Sequence, residues 1–141
     1  MTTPNPLIDA TIYVWGEALD PANVTALLGI EPSVSRRKGT KRLAPTGREI
    51  VAKTSVWTLS PQTKSENLSD HVQELASMVD ERLSQLSGVP GFEGAYVDIF
   101  VAVGTNEAGD GRYVFNLTQQ DIAALQRLGL RVEFTIDIGK D

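Results

Sequence analysis

Three runs of residues alternate between apolar and polar with a period of two, so each has one side that belongs out of water. Leu7 to Trp15 sets Ala10, Ile12 and Val14 against Thr11, Tyr13 and Trp15. Tyr96 to Val103 puts Val97, Ile99, Val101 and Val103 on one side and Asp98 on the other. Near the end, Val132, Phe134, Ile136 and Ile138 alternate with Glu133, Thr135 and Asp137. A period of two is strand geometry. Strands with a single apolar face make a sheet that must be covered on that face.

Helix signals lie between the runs. Asp20-Pro21 is a start: Asp20 caps free N–H groups, and Pro21 lacks the N–H that would go unpaired there. Leu19 and Val24 are spaced as a hydrophobic staple. Gly29 ends this short helix and Pro32 blocks its continuation. Leu68, Val72, Leu75, Val79, Leu83 and Leu86 form one helical stripe, which predicts a long helix capped by Ser65 or Asn67 and stopped by Gly88 and Pro90. Thr118 with Asp121 reads as a capping box and Leu117 with Ile122 as a second staple. Ile122, Leu125 and Leu128 should then face inward, with Gly129 ending the helix.

Other stretches are extended or turning. Ile50 to Leu59 reads as a strand with Val51, Val56, Trp57 and Leu59 as buried groups, and an extra strand fits near Arg48 to Lys53. Asn106 to Gly111 is turn-rich, so Tyr113 to Leu117 is expected to return as a hairpin beside Tyr96 to Val103. The order β-α-β-α-β-β-α-β predicts an α+β fold. It should be a mainly antiparallel five- to six-stranded sheet with three helices packed on one face, a ferredoxin-like arrangement being a special case. Residues 1–9 read as a flexible lead-in and 10–141 as one domain.

Composition removes several function classes. The chain has no cysteine, which excludes disulfides, thiol nucleophiles and thiolate metal sites. His71 is its sole histidine, so one chain has no two-histidine metal pair. No run of about 18 apolar residues is present to span a membrane, and the first residues do not resemble a signal peptide. A cytoplasmic location is expected. Gly104, Gly109 and Gly111 do not match a phosphate-binding loop, and no Gly-x-Ser-x-Gly elbow occurs. No cofactor, no metal site and no catalytic residue is assigned.

The Leu19-Asp20-Pro21 start, followed by Val24-Thr25 and Leu28-Gly29-Ile30-Glu31-Pro32, resembles the opening of the domain of unknown function 4279 family. Trp57 in a strand, the helix from Leu68, and the closing Leu128-Gly129-Leu130 with Ile136-Asp137-Ile138 are similar as well. The resemblance runs from about Ala10 to Ile138. It implies a small bacterial α+β domain and supplies no catalytic residues.

Charge is unevenly spread over a chain of net charge −5. Arg36, Arg37, Lys38, Lys41, Arg42 and Arg48 fall within a stretch free of acids, leaving seven of thirteen basic residues against eighteen acids elsewhere. This loop is a candidate for binding an anion or a partner, against the reading of a solvated loop that balances the acidic remainder. Nucleic acid is disfavoured by the overall charge and by the absence of aromatics from the loop. Glu66, Asp70 and Glu74 form an acidic line that could dock a basic partner or is simply the wet side of a helix. His71 is conceivable as a base, and Asp98 with Asp137 as a carboxylate pair if their strands are neighbours. Trp15, Trp57 and Tyr13 could line a contact surface or sit in the core. With Tyr96 and Phe100, Tyr13 and Trp15 make the face away from the helices too aromatic to be left in water without reason.

The first functional reading is therefore a non-enzymatic protein-binding module, with a protein partner or self-association through that face. One version is an immunity-type protein that neutralises a basic toxin. The rivals are a small carboxylate-dependent enzyme, and anion or nucleic-acid binding through residues 36–48.

Overall fold

The computed structural model describes residues 6–104 and 112–139. Seven strands and four helices follow in the order β1 (Leu7–Gly16), α1 (Pro21–Leu28), β2 (Val34–Arg36), β3 (Lys41–Leu43), β4 (Glu49–Val51), β5 (Ser55–Leu59), α2 (Leu68–Ser77), a 3₁₀ helix (Glu81–Gly88), β6 (Gly94–Gly104), α3 (Gln119–Leu128) and β7 (Arg131–Gly139). The main sheet has five strands in the order β2-β5-β1-β6-β7, and β3 pairs with β4 as a separate small ribbon. The fold is α+β, as the alternating patterns predict.

Local chemistry sets the helix ends. Asp20 accepts the Ala22 N–H at 3.0 Å at the start of α1, and Gly29 closes that helix in the left-handed conformation. Asn67 caps α2 by accepting the Ser69 N–H. Because α2 begins at Leu68, Glu66 lies outside it, and the supposed line of three helical acids is reduced to Asp70 and Glu74. Thr118 and Asp121 form the full reciprocal capping box on α3.

The long helix expected from Leu68 to Leu86 is two helices. At Asp80 the chain becomes extended, and its carboxylate accepts the Arg82 N–H at 2.9 Å, starting a second helix that is 3₁₀. A capping aspartate competes with helix continuation, while Leu83 and Leu86 keep enough of the spacing to stay buried. The sheet therefore carries four helices, not three.

The sheet is mixed. β1 pairs antiparallel with β5 and β6, and β2 antiparallel with β5, but β6 and β7 run parallel. The α3 crossover between β6 and β7 makes this a βαβ unit with no strand inserted, unlike the split unit of a ferredoxin-like sheet. Since β1 and β7 occupy both edges of β6, Tyr113–Leu117 does not return beside it as a hairpin strand. It is irregular, and Tyr113, Phe115 and Leu117 pack against the core. The expected turn at residues 106–111 lies outside the described residues.

One interior unites the helices with one side of the sheet. Ile8, Ala10, Ile12 and Val14 of β1, Val97, Ile99, Val101 and Val103 of β6, and Trp57 and Leu59 of β5 are buried together with Val24, Leu28, Leu68, Val72, Leu75, Leu83, Leu86, Ala124, Leu125 and Leu128. Strand β1 begins at Leu7, so residues 7–9 belong to the sheet.

Four sequence expectations about burial fail at the margin of this core, the first being Val56, which is only partly buried because it stands beside Trp15 on the side away from the helices. Phe134, Ile136 and Ile138 are 52–64% exposed, because β7 is the sheet edge and its apolar row extends beyond the helices. Ile122 is 54% exposed, while Asp121 takes an inward position on α3. Val51 is also exposed, lying in the small ribbon and not in the main sheet.

Candidate functional site

Every second residue of the central strands points away from the helices. Register fixes which of them meet. Tyr13 of β1 stands beside Tyr96 of β6, and Tyr96 beside Arg131 of β7. The two tyrosine rings stack with centroids 5.2 Å apart and planes 7° from parallel. The Arg131 guanidinium carbon lies 5.0 Å from the Tyr96 ring centroid, a cation–π geometry. Burial raises the Tyr96 phenol above its ordinary pKa, Tyr13, Glu133 and Asp98 add to the effect, and Arg131 opposes it.

Trp15 extends this aromatic row. A Cβ placed on Gly94, its partner in register, would lie 2.9 Å from the indole Nε1, so the ring rests on the bare backbone of β6. Phe100 lies further along β6, between Asp9 and Thr135. Tyr13, Trp15, Tyr96 and Phe100 are all half-buried, and no described helix lies over them.

Acids lie on the same face among threonines. Asp98 sits between Thr11 and Glu133. Burial pushes the Asp98 carboxyl above the usual carboxylate range; the Thr135 hydroxyl, donating at 3.4 Å, opposes this, and Glu133 and Asp9 reinforce it. Arg131 bridges to Glu133 at 3.1 Å. Asp137 stands beside Ala102, four residues along from the level of Asp98, a separation of about 13 Å at 3.3 Å per residue. The Asp98–Asp137 pair considered from sequence is thus not formed, and Glu133 is the carboxylate that neighbours Asp98.

Trp57 does not share this face. It is fully buried on the helix side, and its indole N–H donates to the Thr25 hydroxyl at 3.0 Å. The sequence grouped it with Trp15 and Tyr13, but it stands beside Val14 in register, one residue out of phase with them.

The basic loop is dispersed among neighbours. Arg37 pairs with Asp20 at 2.8 Å, Lys38 with Glu17 at 2.6 Å and Lys41 with Glu49 at 3.5 Å. The Lys38 ammonium, by hydrogen bond and charge, holds the Glu17 carboxyl below its ordinary pKa. Arg36 and Arg37 line a cleft of about 520 Å³ with Pro21, Ala22, Thr25 and Glu31, whereas Arg42 lies in a separate hollow with Ile50 and Lys53. Glu17 and Asp20, brought in from between β1 and α1, and Glu49, next to the loop, therefore pair with three of the six cations of a cluster that looked acid-free in sequence.

His71 is buried on the helix side. Its Nε2 is 2.7 Å from the Ser65 carbonyl, which assigns the proton to Nε2, and its Nδ1 is buried without a partner among the described residues. Asp70 accepts from the Ser65 hydroxyl at 2.6 Å, and Glu74 from the Thr63 N–H at 3.3 Å, so both brace the approach to α2. Among the described residues no three His, Asp or Glu side chains gather to hold a metal ion.

Sequence reasoning missed one polar centre. Asp121 is fully buried and accepts from the Ser69 hydroxyl and the Gln73 amide of α2, both at 2.7 Å, and from the Thr118 N–H at 2.9 Å. Burial alone would raise its pKa, but the bonds from Gln73, Thr118 and Ser69 outweigh that and hold it below the ordinary value. The capping-box spacing was its only sequence signal.

This arrangement of sheet, caps and faces extends over nearly the whole chain, and so does a family model described as Domain of unknown function (DUF4279), which matches residues 6–139. The chain belongs to that family. No curated protein and no solved structure matches it. In this DUF4279 chain no described helix is long and apolar enough to cross a membrane. The resemblance read from Leu19-Asp20-Pro21 onward is thereby established, and the open sheet face is the candidate site.

Proposed function

We propose that this DUF4279 domain is a non-enzymatic binding module that holds a protein partner on the open face of its sheet. The observation that carries the reading is the Arg131–Tyr96–Tyr13 stack, with Trp15 beside it, on a face that no described helix covers. Rigid aromatics and arginine on an ordered sheet are the residue types that anchor protein interfaces. Asp9, Asp98, Glu133 and Asp137 surround them with negative charge, which suits a partner with a basic rim and speeds its association. A basic toxin held by an immunity-type protein is one such pair.

The enzymatic alternative needs a concave site that gathers at least two of His71, Asp98, Asp137 and the loop cations around a reacting group. His71 is buried on the helix side, the two aspartates are separated on the other side, and the cations lie near β2 to β4. The ion pairs of Arg37, Lys38 and Lys41 weaken the nucleic-acid alternative.

Affinity capture with the chain as bait tests the proposal. Wild-type protein should retain a basic protein that Tyr13→Ala/Tyr96→Ala and Asp98→Lys both lose while each stays folded by circular dichroism at the assay temperature. A partner retained equally by both variants contradicts it.

A further inference from the structure

Strand β7 is nine residues long and pairs only through one side, with β6; among the described residues no strand occupies its other side. Long exposed edges are normally blunted by charged side chains, lysine above all, or by proline, a bulge or a covering segment; the charges of β7, Arg131, Glu133 and Asp137, are of both signs. β7, Arg131-Val-Glu-Phe-Thr-Ile-Asp-Ile-Gly139, contains neither lysine nor proline. Its pairing with β6 is regular along its whole length, without a bulge. Phe134, Ile136 and Ile138, 52–64% exposed, lie level with the buried Ile99, Val101 and Val103, so the apolar side of the sheet continues past the helices and stops at this edge.

We infer that β7 pairs antiparallel with β7 of a second copy of this chain, joining two five-stranded sheets into one. The strand is self-complementary in one register. A two-fold axis normal to the sheet keeps both sets of helices on one side and opposes residues of the same face. A slip by one residue sets the apolar row against the polar row. Centring on Phe134 places the two Phe134 side chains together, Val132 beside Ile136, and Arg131 beside Asp137, each of the last two contacts occurring twice. Centring on Thr135 opposes Glu133 to Asp137, two like charges. Over the described residues, centring on Ile136 opposes Glu133 to Gly139 and Thr135 to Asp137, so neither acid meets a cation. Over the described residues the Phe134 register is the one of these that joins apolar to apolar and opposite to opposite charge.

The apolar row of this edge lies on the side of the sheet opposite the aromatic face, whereas Arg131 and Asp137 border the proposed partner site as well, so Ile136→Lys is the variant that reads the inference apart from that site. Sedimentation equilibrium on the full chain reads it. Wild-type protein should run at twice the chain mass. Ile136→Lys, which places a charge at an exposed position, should run at the single-chain mass with an unchanged circular dichroism spectrum.

Charge exchange tests the register. Arg131→Asp and Asp137→Arg should each be monomeric alone, because each opposes like charges across the axis, and the two mixed should restore the double mass. Hydrogen exchange should show β7 amides protected in the dimer and faster in Ile136→Lys. A wild-type chain that stays monomeric at its highest soluble concentration overturns the inference. So does a dimer whose mass survives Ile136→Lys, or single charge variants that dimerise as well alone as mixed.

Discussion

The two faces of the main sheet come from the same strands, one residue apart, and they differ in everything that follows from coverage. On the helix side, Val14, Trp57, Val97 and Ile99 have no exposure. On the other side, Trp15, Val56, Tyr96 and Asp98 are only half-buried, and the residues that are buried there, Thr11 and Thr58, are polar. The buried face is almost wholly apolar, and among its few polar groups the Trp57 indole, Asp121 and the Nε2 of His71 are hydrogen bonded, while the His71 Nδ1 has no partner among the described residues. The open face mixes stacked aromatics with a guanidinium and several carboxylates. Stability resides in the first face, where side chains leave water on folding. The second has chemical variety without cover, which is the composition of a contact surface.

Tryptophan gives the largest contrast. Trp57→Ala should cost about 3–5 kcal/mol, most of the stability of an ordinary domain, through the cavity it leaves. Trp15→Ala should cost about 1 kcal/mol or less, since its ring is only partly removed from water. Urea unfolding of both variants compares them, and equal losses would erase the distinction between the faces.

Carboxylates give a smaller contrast with opposite signs. Asp121→Ala should cost about 2–3 kcal/mol by leaving the donors from Ser69, Gln73 and Thr118 unmatched. The folded pKa of Asp121 lies below the unfolded value of about 3.9, so its contribution is complete above that value and is lost as pH falls through the folded pKa. Asp98 is reversed. Its folded pKa is raised, so its charge is unfavourable to folding at neutral pH, and that penalty is relieved as pH falls through the folded pKa. Stability measured against pH should therefore lose an acid-limb component in Asp121→Asn, whereas Asp98→Asn should be stabilised at neutral pH.

Within the open face, a double-mutant cycle on Tyr13 and Tyr96 should give a coupling of about 0.5–1.5 kcal/mol, the range for stacked aromatic pairs. No measurable coupling would mean that the stack is not maintained in solution. The smallest effect is expected at the loop. Removing the Lys38–Glu17 pair by Lys38→Ala should leave the thermal midpoint within measurement error, because both groups are in water.

What the sequence made legible was local. The Asp20 and Thr118 caps and the αL glycines Gly29 and Gly129 could be read because each depends on a few adjacent residues. The alternation of β1 and β6 gave the correct faces. Pairing was not legible: Tyr113–Leu117 looked like the natural neighbour of β6, yet β7 takes that place after a crossover, and no local pattern encodes this choice. The helix break was hidden because Val79, Leu83 and Leu86 continue a helical spacing across the Asp80 cap. Alternation also reports which way Phe134 and Ile136 point without reporting whether anything lies over them. At the site, Tyr13, Trp15 and Phe100 were legible from their phase, and the same phase separates Trp57 from them. Arg131 and Glu133 joined the site only through the β6–β7 register.

Collisional quenching of the two tryptophans measures the asymmetry of the faces most directly, since Trp15 and Trp57 are the only indoles in the chain. With Trp15→Phe, the remaining Trp57 fluorescence should be blue-shifted and nearly untouched by acrylamide. With Trp57→Phe, the remaining Trp15 should be red-shifted and readily quenched. Equal quenching of the two, in variants that both stay folded, would contradict a sheet with one sealed side and one open side.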